Sequence, residues 1–212
     1  MIPPKPISRP DRILVYRALY NYTAGQPDEL SFNEGDLLYI SDATDSSGWW
    51  TGRCNGKSGL IPSNYVTENT ECINFPLHEA AKRGNEAFLQ ECLENHVSVN
   101  SLDKSGSTPL YWAAHGGHLP CLKLILNFKP DLDAKNKLGD TALHAAAWKD
   151  HCLCVAVLIE AGVNLNIKNI DGKTALDMAT DPEVASILKR AASDKASSKN
   201  DEYEIDSNSE SD

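Results

Sequence analysis

The side chains best able to do chemistry in this sequence are a glycine-lysine-serine run, a few histidines and a few cysteines. Gly52-Arg53-Cys54-Asn55-Gly56-Lys57-Ser58 has the residue types of a phosphate-binding loop, but only three residues separate its glycines. That loop needs four, and a following helix whose first N–H groups face the phosphate. The run lies instead between two strand-like segments and predicts a hairpin turn. His115 and His118 lie close together, as do His151, Cys152 and Cys154. Zinc takes four ligands in a tetrahedron, which neither group supplies. Asn21-Tyr22-Thr23 has the form of a glycosylation acceptor. It falls on a predicted strand, however, in a chain with no expected secretion signal. No Ser-His-Asp or Cys-His arrangement occupies a recognisable catalytic frame. The sequence therefore predicts no enzyme, no metal site and no cofactor.

Recognition chemistry is better represented. Tyr20 and Tyr22 stand at i and i+2, so a strand presents both rings on one face, and Trp49 is followed by Trp50. The chain has 212 residues and a formal charge of −10, with 41% hydrophobic and 24% charged residues. These proportions suit a folded chain with a core. The negative charge gives no general attraction to nucleic acid or to an anionic membrane. No run approaches ~20 apolar residues, so no membrane insertion is expected. The N-terminal Met1-Ile2-Pro3-Pro4-Lys5-Pro6 lacks the apolar stretch of a secretory signal. A cytoplasmic chain with reduced thiols is expected. Cys54, Cys72, Cys92, Cys121, Cys152 and Cys154 are scattered without a CxxC pair, as small buried apolar residues would be.

Ordered elements must position these residues, and composition divides the chain. Residues 1–12 are proline-rich and polar, and residues 13–67 alternate apolar with polar between Gly, Asp and Asn. Residues 72–191 show helical periodicity broken by glycines. Residues 192–212 are mostly Ser, Asp, Glu and Lys, too polar to bury a core, and are expected to be disordered.

The helical part repeats. Leu77, Leu110, Leu143 and Leu176 recur every 33 residues, as do Gly106, Gly139 and Gly172, and also Asn100, Asp133 and Asn166. Thr108-Pro109-Leu110-Tyr111-Trp112-Ala113-Ala114 is echoed by Thr141-Ala142-Leu143-His144-Ala145-Ala146. This period and core resemble the ankyrin repeat. The threonine caps a first helix, with Pro or Ala at its first position. The leucine and the alanine pair form its apolar stripe, and a glycine such as Gly84 or Gly117 ends it. Four repeats are expected, at 72–103, 104–136, 137–169 and 170–191, stacked because no repeat buries its own faces. The outer two depart from the frame and read as caps. Asn74-Phe75 replaces the opening turn of the first. In the fourth, Asp177 takes the histidine slot, Pro182 replaces the Gly-His turn, and a short second helix is expected. The clustered histidines fall at or beside the Gly-His turns, where the resemblance implies a structural role.

The front region carries five motifs in order: Ala18-Leu19-Tyr20-Asn21-Tyr22, Asp28-Glu29-Leu30-Ser31-Phe32, Glu34-Gly35-Asp36, Gly48-Trp49-Trp50 and Gly59-Leu60-Ile61-Pro62-Ser63-Asn64-Tyr65-Val66. Their order and spacing resemble the SH3 domain, a small β-barrel that binds PxxP peptides as polyproline II helices. The resemblance implies a groove of Tyr20, Tyr22, Trp49, Pro62 and Tyr65, with Asn64 as a hydrogen-bond donor. It places Asp28 and Glu29 in the loop that pairs with a ligand Arg or Lys, with Glu34 and Asp36 adding negative potential. Asn21 stands where the family usually has Asp, on the side of the strand away from the ligand. Ala18, Leu19, Leu30, Phe32, Ile61 and Val66 are expected in the core, and Trp50 is expected to pack outward.

The expected architecture is thus multidomain: a small all-β SH3 barrel, an all-α ankyrin solenoid and an acidic tail. The ankyrin frame leaves Lys82, His115 and Trp148 exposed, with Leu138 and Ile170 at hairpin tips, as a candidate partner face. Trp112 occupies a different slot, normally partly buried, and is expected to pack toward the core. In the tail, Tyr203 lies among acids, and Ser207 and Ser209 precede acids by three residues, as phosphorylation sites do. The function expected is a monomeric, non-catalytic intracellular signalling adaptor. Its groove takes proline-rich signalling proteins, its ankyrin stack takes a second, unidentified protein, and nucleic acid is not a partner. An alternative folds Pro3-x-x-Pro6, with Lys5 and Arg9 nearby, onto the chain's own groove.

Overall fold

A computed structural model describes residues 13–43 and 47–201. The leader at 1–12 and Tyr203, Ser207 and Ser209 lie outside the described residues, and with them the expectations of self-binding and phosphorylation.

The described strands form one antiparallel sheet in the order β4-β3-β2-β1-β5: β1 (Leu14–Ala18), β2 (Leu37–Asp42), β3 (Trp49–Cys54), β4 (Lys57–Pro62) and β5 (Thr70–Cys72). The helix α1 (Ser63–Glu68) joins β4 to β5. β3 and β4 pair from Trp49↔Pro62 down to Cys54↔Lys57. Asn55 and Gly56 close this hairpin with φ of 49° and 76°. An Asn-Gly pair supplies the two positive φ values that a tight hairpin turn needs. The glycine-lysine-serine run is this turn. β5 lies beyond the expected domain end at 67 and pairs with β1, Tyr16 opposite Cys72.

One face of the sheet holds a core of Ala18, Leu30, Phe32, Leu38, Ile40, Cys54, Ile61 and Val66. Leu19 does not join it and is 41% exposed. Ala18 already points inward at the end of β1, so the next side chain turns out. Trp50 also departs from expectation. It packs against the core, and its neighbour Trp49 takes the opposite direction toward an open cleft.

The helices follow: α2 (Pro76–Arg83), α3 (Glu86–Glu94), α4 (Pro109–His115), α5 (Leu119–Asn127), α6 (Ala142–Trp148), α7 (Cys152–Glu160), α8 (Ala175–Met178) and α9 (Pro182–Asp201). Two compact units result. One joins the sheet to Ala87–Ser98, and the other joins His78–Glu86 to the chain from Val99 onward. In the first unit Leu38, Tyr39 and Ile40 are buried in succession. Leu38 and Ile40 face the core, while the Tyr39 hydroxyl lies 3.9 Å from Cys92 Sγ of α3. Burial, with Cys92 and Glu91 nearby, raises the Tyr39 phenol far above its ordinary value.

In the second unit α4 packs on α6 and α6 on α8, with α5, α7 and α9 forming the second layer. Leu110, Ala113, Ala114, Leu143, Ala146 and Ala147 are buried between them. Small side chains let the helices approach closely. Thr108 Oγ1 accepts from the Tyr111 N–H at 3.2 Å and caps α4. At α6, His144 Nδ1 accepts from the Thr141 N–H at 3.2 Å. Asp177 does the same for α8, its Oδ2 accepting from the Thr174 N–H at 2.8 Å. The histidine slot therefore needs an acceptor, which aspartate supplies. His118 and His151 extend Nε2 to the carbonyls of Lys82 and His115, each at 3.1 Å. Their rings lie where a Cβ on Gly84 or Gly117 would sit, and both glycines have φ of +69°.

α9 corrects the expectation of a short fourth-repeat helix. It runs to Asp201, with Val184 and Leu188 buried along its first turns. The Glu183 N–H donates to Asp181 Oδ1 at 2.8 Å, an N-cap that the sequence Asp181-Pro182 supplies.

Candidate protein-binding surfaces

The groove begins with backbone closure. Leu30 N–H donates to Leu60 O at 2.9 Å, and Leu60 N–H donates to Asp28 O at 2.8 Å. The loop bearing Asp28 and Glu29 is thereby held against β4. Gly59 permits the approach, since a Cβ there would lie 2.7 Å from Asp28 O. Tyr22, Gly48, Trp49, Pro62, Ser63, Asn64, Tyr65 and Asn69 then line one open cleft of about 540 Å³.

Core packing orients the rings. Phe32 stacks on Tyr22 at 5.3 Å between centroids and meets Tyr65 edge-on at 5.1 Å, while Tyr22 and Tyr65 lie 5.7 Å apart. The Tyr65 hydroxyl donates to Tyr20 O. Tyr20 itself is 62% exposed and stands beside the cleft rather than lining it. Asn64 Oδ1 accepts from the Tyr65 N–H at 2.9 Å, and its amide NH2 is a donor.

The acidic loop is ordered by its own carboxylate. Glu29 Oε2 accepts from the Tyr22 hydroxyl at 3.1 Å and from the Gly25 N–H at 2.6 Å. Burial, then the bond to Glu29 and its charge, raise the Tyr22 phenol above its ordinary value, so Tyr22 stays a neutral donor. Asp28 is exposed beside it. Asn21 Oδ1 accepts from the Glu34 N–H at 2.8 Å, a role that an acceptor oxygen fills whether it belongs to Asn or Asp. Asp36 serves structure: its Oδ2 accepts from Asn33 N–H at 2.9 Å and from Asn55 Nδ2 at 3.0 Å. Ser63 and Asn69 were not expected in the cleft. Ser63 follows the expected Pro62, whereas Asn69 lies beyond the motifs and arrives only through α1.

The ankyrin candidates divide into two sets. Lys82, His115 and Trp148 belong to one strip with Trp112 and Lys149. Lys82 Nζ lies 4.9 Å from the Trp112 ring, Trp112 to His115 is 5.5 Å, His115 to Trp148 is 5.7 Å, and Lys149 Nζ lies 4.0 Å over Trp148. Trp112 is half-buried rather than core. Its Nε1 donates to Asp103 Oδ2 at 2.8 Å, which holds the ring on the surface. The missed signal is spacing: Trp112 and His115 are i and i+3 on α4 and share a face. Burial, then Lys149, His151 and Lys82, hold the His115 imidazole below its ordinary value. Leu138 and Ile170 form the second set at the hairpin tips, 56% and 69% exposed, with the Ile170 N–H donating to Leu138 O at 3.0 Å.

Cys72 is exposed and Cys152 half-buried, against the expectation of burial, whereas the buried cysteines offer little reactivity. Burial raises the thiols of Cys54 and Cys154 to about 11 and that of Cys92 to about 12. No helix among the described residues is long and apolar enough to cross a membrane.

Comparison with known proteins agrees with this division. A family profile described as SH3 domain matches residues 17–63, and one described as ankyrin repeats, in three copies, matches residues 77–169. Both are interaction modules. Osteoclast-stimulating factor 1 from Xenopus laevis is 61% identical over 106 residues, and that from Rattus norvegicus is 59% identical over 106 residues. Each match covers 50% of this chain and 49% of the relative, so the chain spans about half the length of the curated relatives it matches. The chain therefore carries an SH3 domain and ankyrin repeats, and about half of it is similar to osteoclast-stimulating factor 1.

Proposed function

We propose that the chain is a non-catalytic cytoplasmic signalling adaptor. Its SH3 groove binds proline-rich PxxP peptides with a basic flank, and its ankyrin surface binds a second protein. The reading rests on one observation: Tyr22, Trp49, Pro62 and Tyr65 line one cleft, with Asn64 as a donor and Glu29 fixed beside Tyr22. Flat rings suit a polyproline II helix, which is already ordered and loses little entropy on docking. The acidic loop suits an Arg or Lys next to the prolines. The relatives' name extends the proposal to physiology: the adaptor acts in stimulating osteoclasts.

Trp49→Ala tests the groove. Titration of the full chain with an Arg-flanked PxxP peptide should show a loss of about 2–4 kcal/mol in binding. Thermal unfolding should stay unchanged, because Trp49 lines the cleft rather than the core. Wild-type affinity in this variant would sink the groove assignment.

A further inference from the structure

The aromatic strip on the ankyrin side has a feature of its own: its charge is opposite in sign to that of the whole chain. The chain carries a formal charge of −10. Yet Lys82 and Lys149 flank Trp112 and Trp148, and the groups acting on His115 are Lys149, His151 and Lys82. No Asp or Glu forms an ion pair with Lys82 or Lys149 among the described residues. The nearby acids are engaged elsewhere. Asp103 accepts from Trp112 Nε1, from Ser105 and from the Ser107 N–H. Asp140 accepts from Asn169 Nδ2 at 2.9 Å. Each ammonium therefore rests on a ring while its N–H donors stay available.

Trp148 is 49% exposed, so the strip offers apolar area between two cations. We propose that the strip of Lys82, Trp112, His115, Trp148 and Lys149 docks a linear acidic segment of a partner protein. Its carboxylates meet the two ammonium groups, and its apolar side chains lie on the indole faces. This deepens the proposal above that the ankyrin surface binds a second protein, and it rests on that reading. A nucleic acid fits less well, because the chain as a whole repels polyanions and a carboxylate segment brings less charge.

The test uses the full chain and a short fluorescein-labelled peptide alternating Glu with Leu, followed by anisotropy. The Glu peptide should bind, and its affinity should fall as salt rises. Replacing Glu by Gln in the peptide should weaken binding about tenfold, as should Lys82→Glu with Lys149→Glu in the protein, since two ion pairs are lost in each case. Lys82→Gln with Lys149→Gln gives a milder version should the reversed pair unfold. Equal binding of the Gln and Glu peptides overturns the acidic class. If Trp148→Ala then weakens both equally, the surface stands as a binding face and only the partner chemistry fails. If Trp148→Ala leaves both the peptide and the proteins captured from lysate unchanged, the face itself falls. Binding that appears only after residues 202–212 are deleted makes the chain's own acidic tail the occupant and overturns a partner in trans. Tighter binding of a labelled oligothymidylate than of the Glu peptide also overturns it.

Discussion

The SH3 groove and the ankyrin strip are built from similar parts and differ in the charges beside them. Tyr22, Trp49 and Tyr65 line the groove with Asp28 and Glu29 in the adjoining loop, whereas Trp112 and Trp148 lie under Lys82 and Lys149. Aromatic rings give both surfaces contact area at small cost in side-chain entropy. The sign of the neighbouring charge then selects the partner, because mismatched charges are rejected at encounter. The two also differ in how their rings are held. Tyr22 and Tyr65 stand on Phe32 of the core, while Trp112 is held by a hydrogen bond to a loop carboxylate.

Gly59→Ala should break the comparison most strongly on the groove side. Its Cβ would meet Asp28 O at 2.7 Å and Leu30 Cγ at 3.0 Å. The loop must move off β4, taking Glu29 and Tyr22 with it. The expected cost is about 1–3 kcal/mol of stability, read from denaturant unfolding, with weaker binding of the Arg-flanked peptide. Stability and peptide affinity equal to wild type would show that the close approach is not what positions the acidic loop.

Much of the groove was legible because its residues lie in motifs whose order survives in the chain. Tyr22 comes from the loop after β1, Trp49 from β3, Pro62 from β4, and Asn64 and Tyr65 from α1, yet they converge on one cleft. What could not be read has physical causes. Tyr39 breaks the alternation of β2 because both faces of that strand are covered, the second by Cys92, 53 positions later. Trp112 looked like core because indole is large and apolar, but its N–H needs a partner and finds Asp103 at the surface. The length of α9 was hidden by the polarity of its final turns, although Ala and Lys there favour helix without needing burial.

A finer test separates charge from geometry in the groove. Glu29→Gln keeps an oxygen to accept from the Tyr22 hydroxyl and the Gly25 N–H, so the loop should hold its shape. Only the negative charge is lost. An Arg-flanked PxxP peptide should weaken by about 0.5–1 kcal/mol, and one with an uncharged flank should bind as before. Equal losses for both peptides would mean that Glu29 acts by shaping the loop. The Glu-Leu peptide at the ankyrin strip should be indifferent to this change, and any shift there would undo the separation of the two surfaces.

The smallest expected effect comes from mild acid, which should touch only one side of the comparison. No histidine lines the cleft. On the ankyrin side burial holds His78 below its ordinary value, outweighing its hydrogen bonds to the Ser107 and Ser101 carbonyls and the nearby charge of Asp103. His115 is lowered as well, by burial and by its basic neighbours. A base with a depressed folded value binds its proton more readily when unfolded. Stability is then fully present above the unfolded imidazole value of about 6.5 and declines as pH falls below it. Thermal melting should therefore drop between about pH 7 and pH 5, while groove affinity for the Arg-flanked peptide stays level because no histidine lines the cleft. His78→Gln should start lower, having lost bonds to Ser101 and Ser107, but its melting should depend less on pH. A melting curve that ignores pH across this window would mean that burial holds neither His78 nor His115 neutral, and the ankyrin side would lose the titration that sets it apart from the groove.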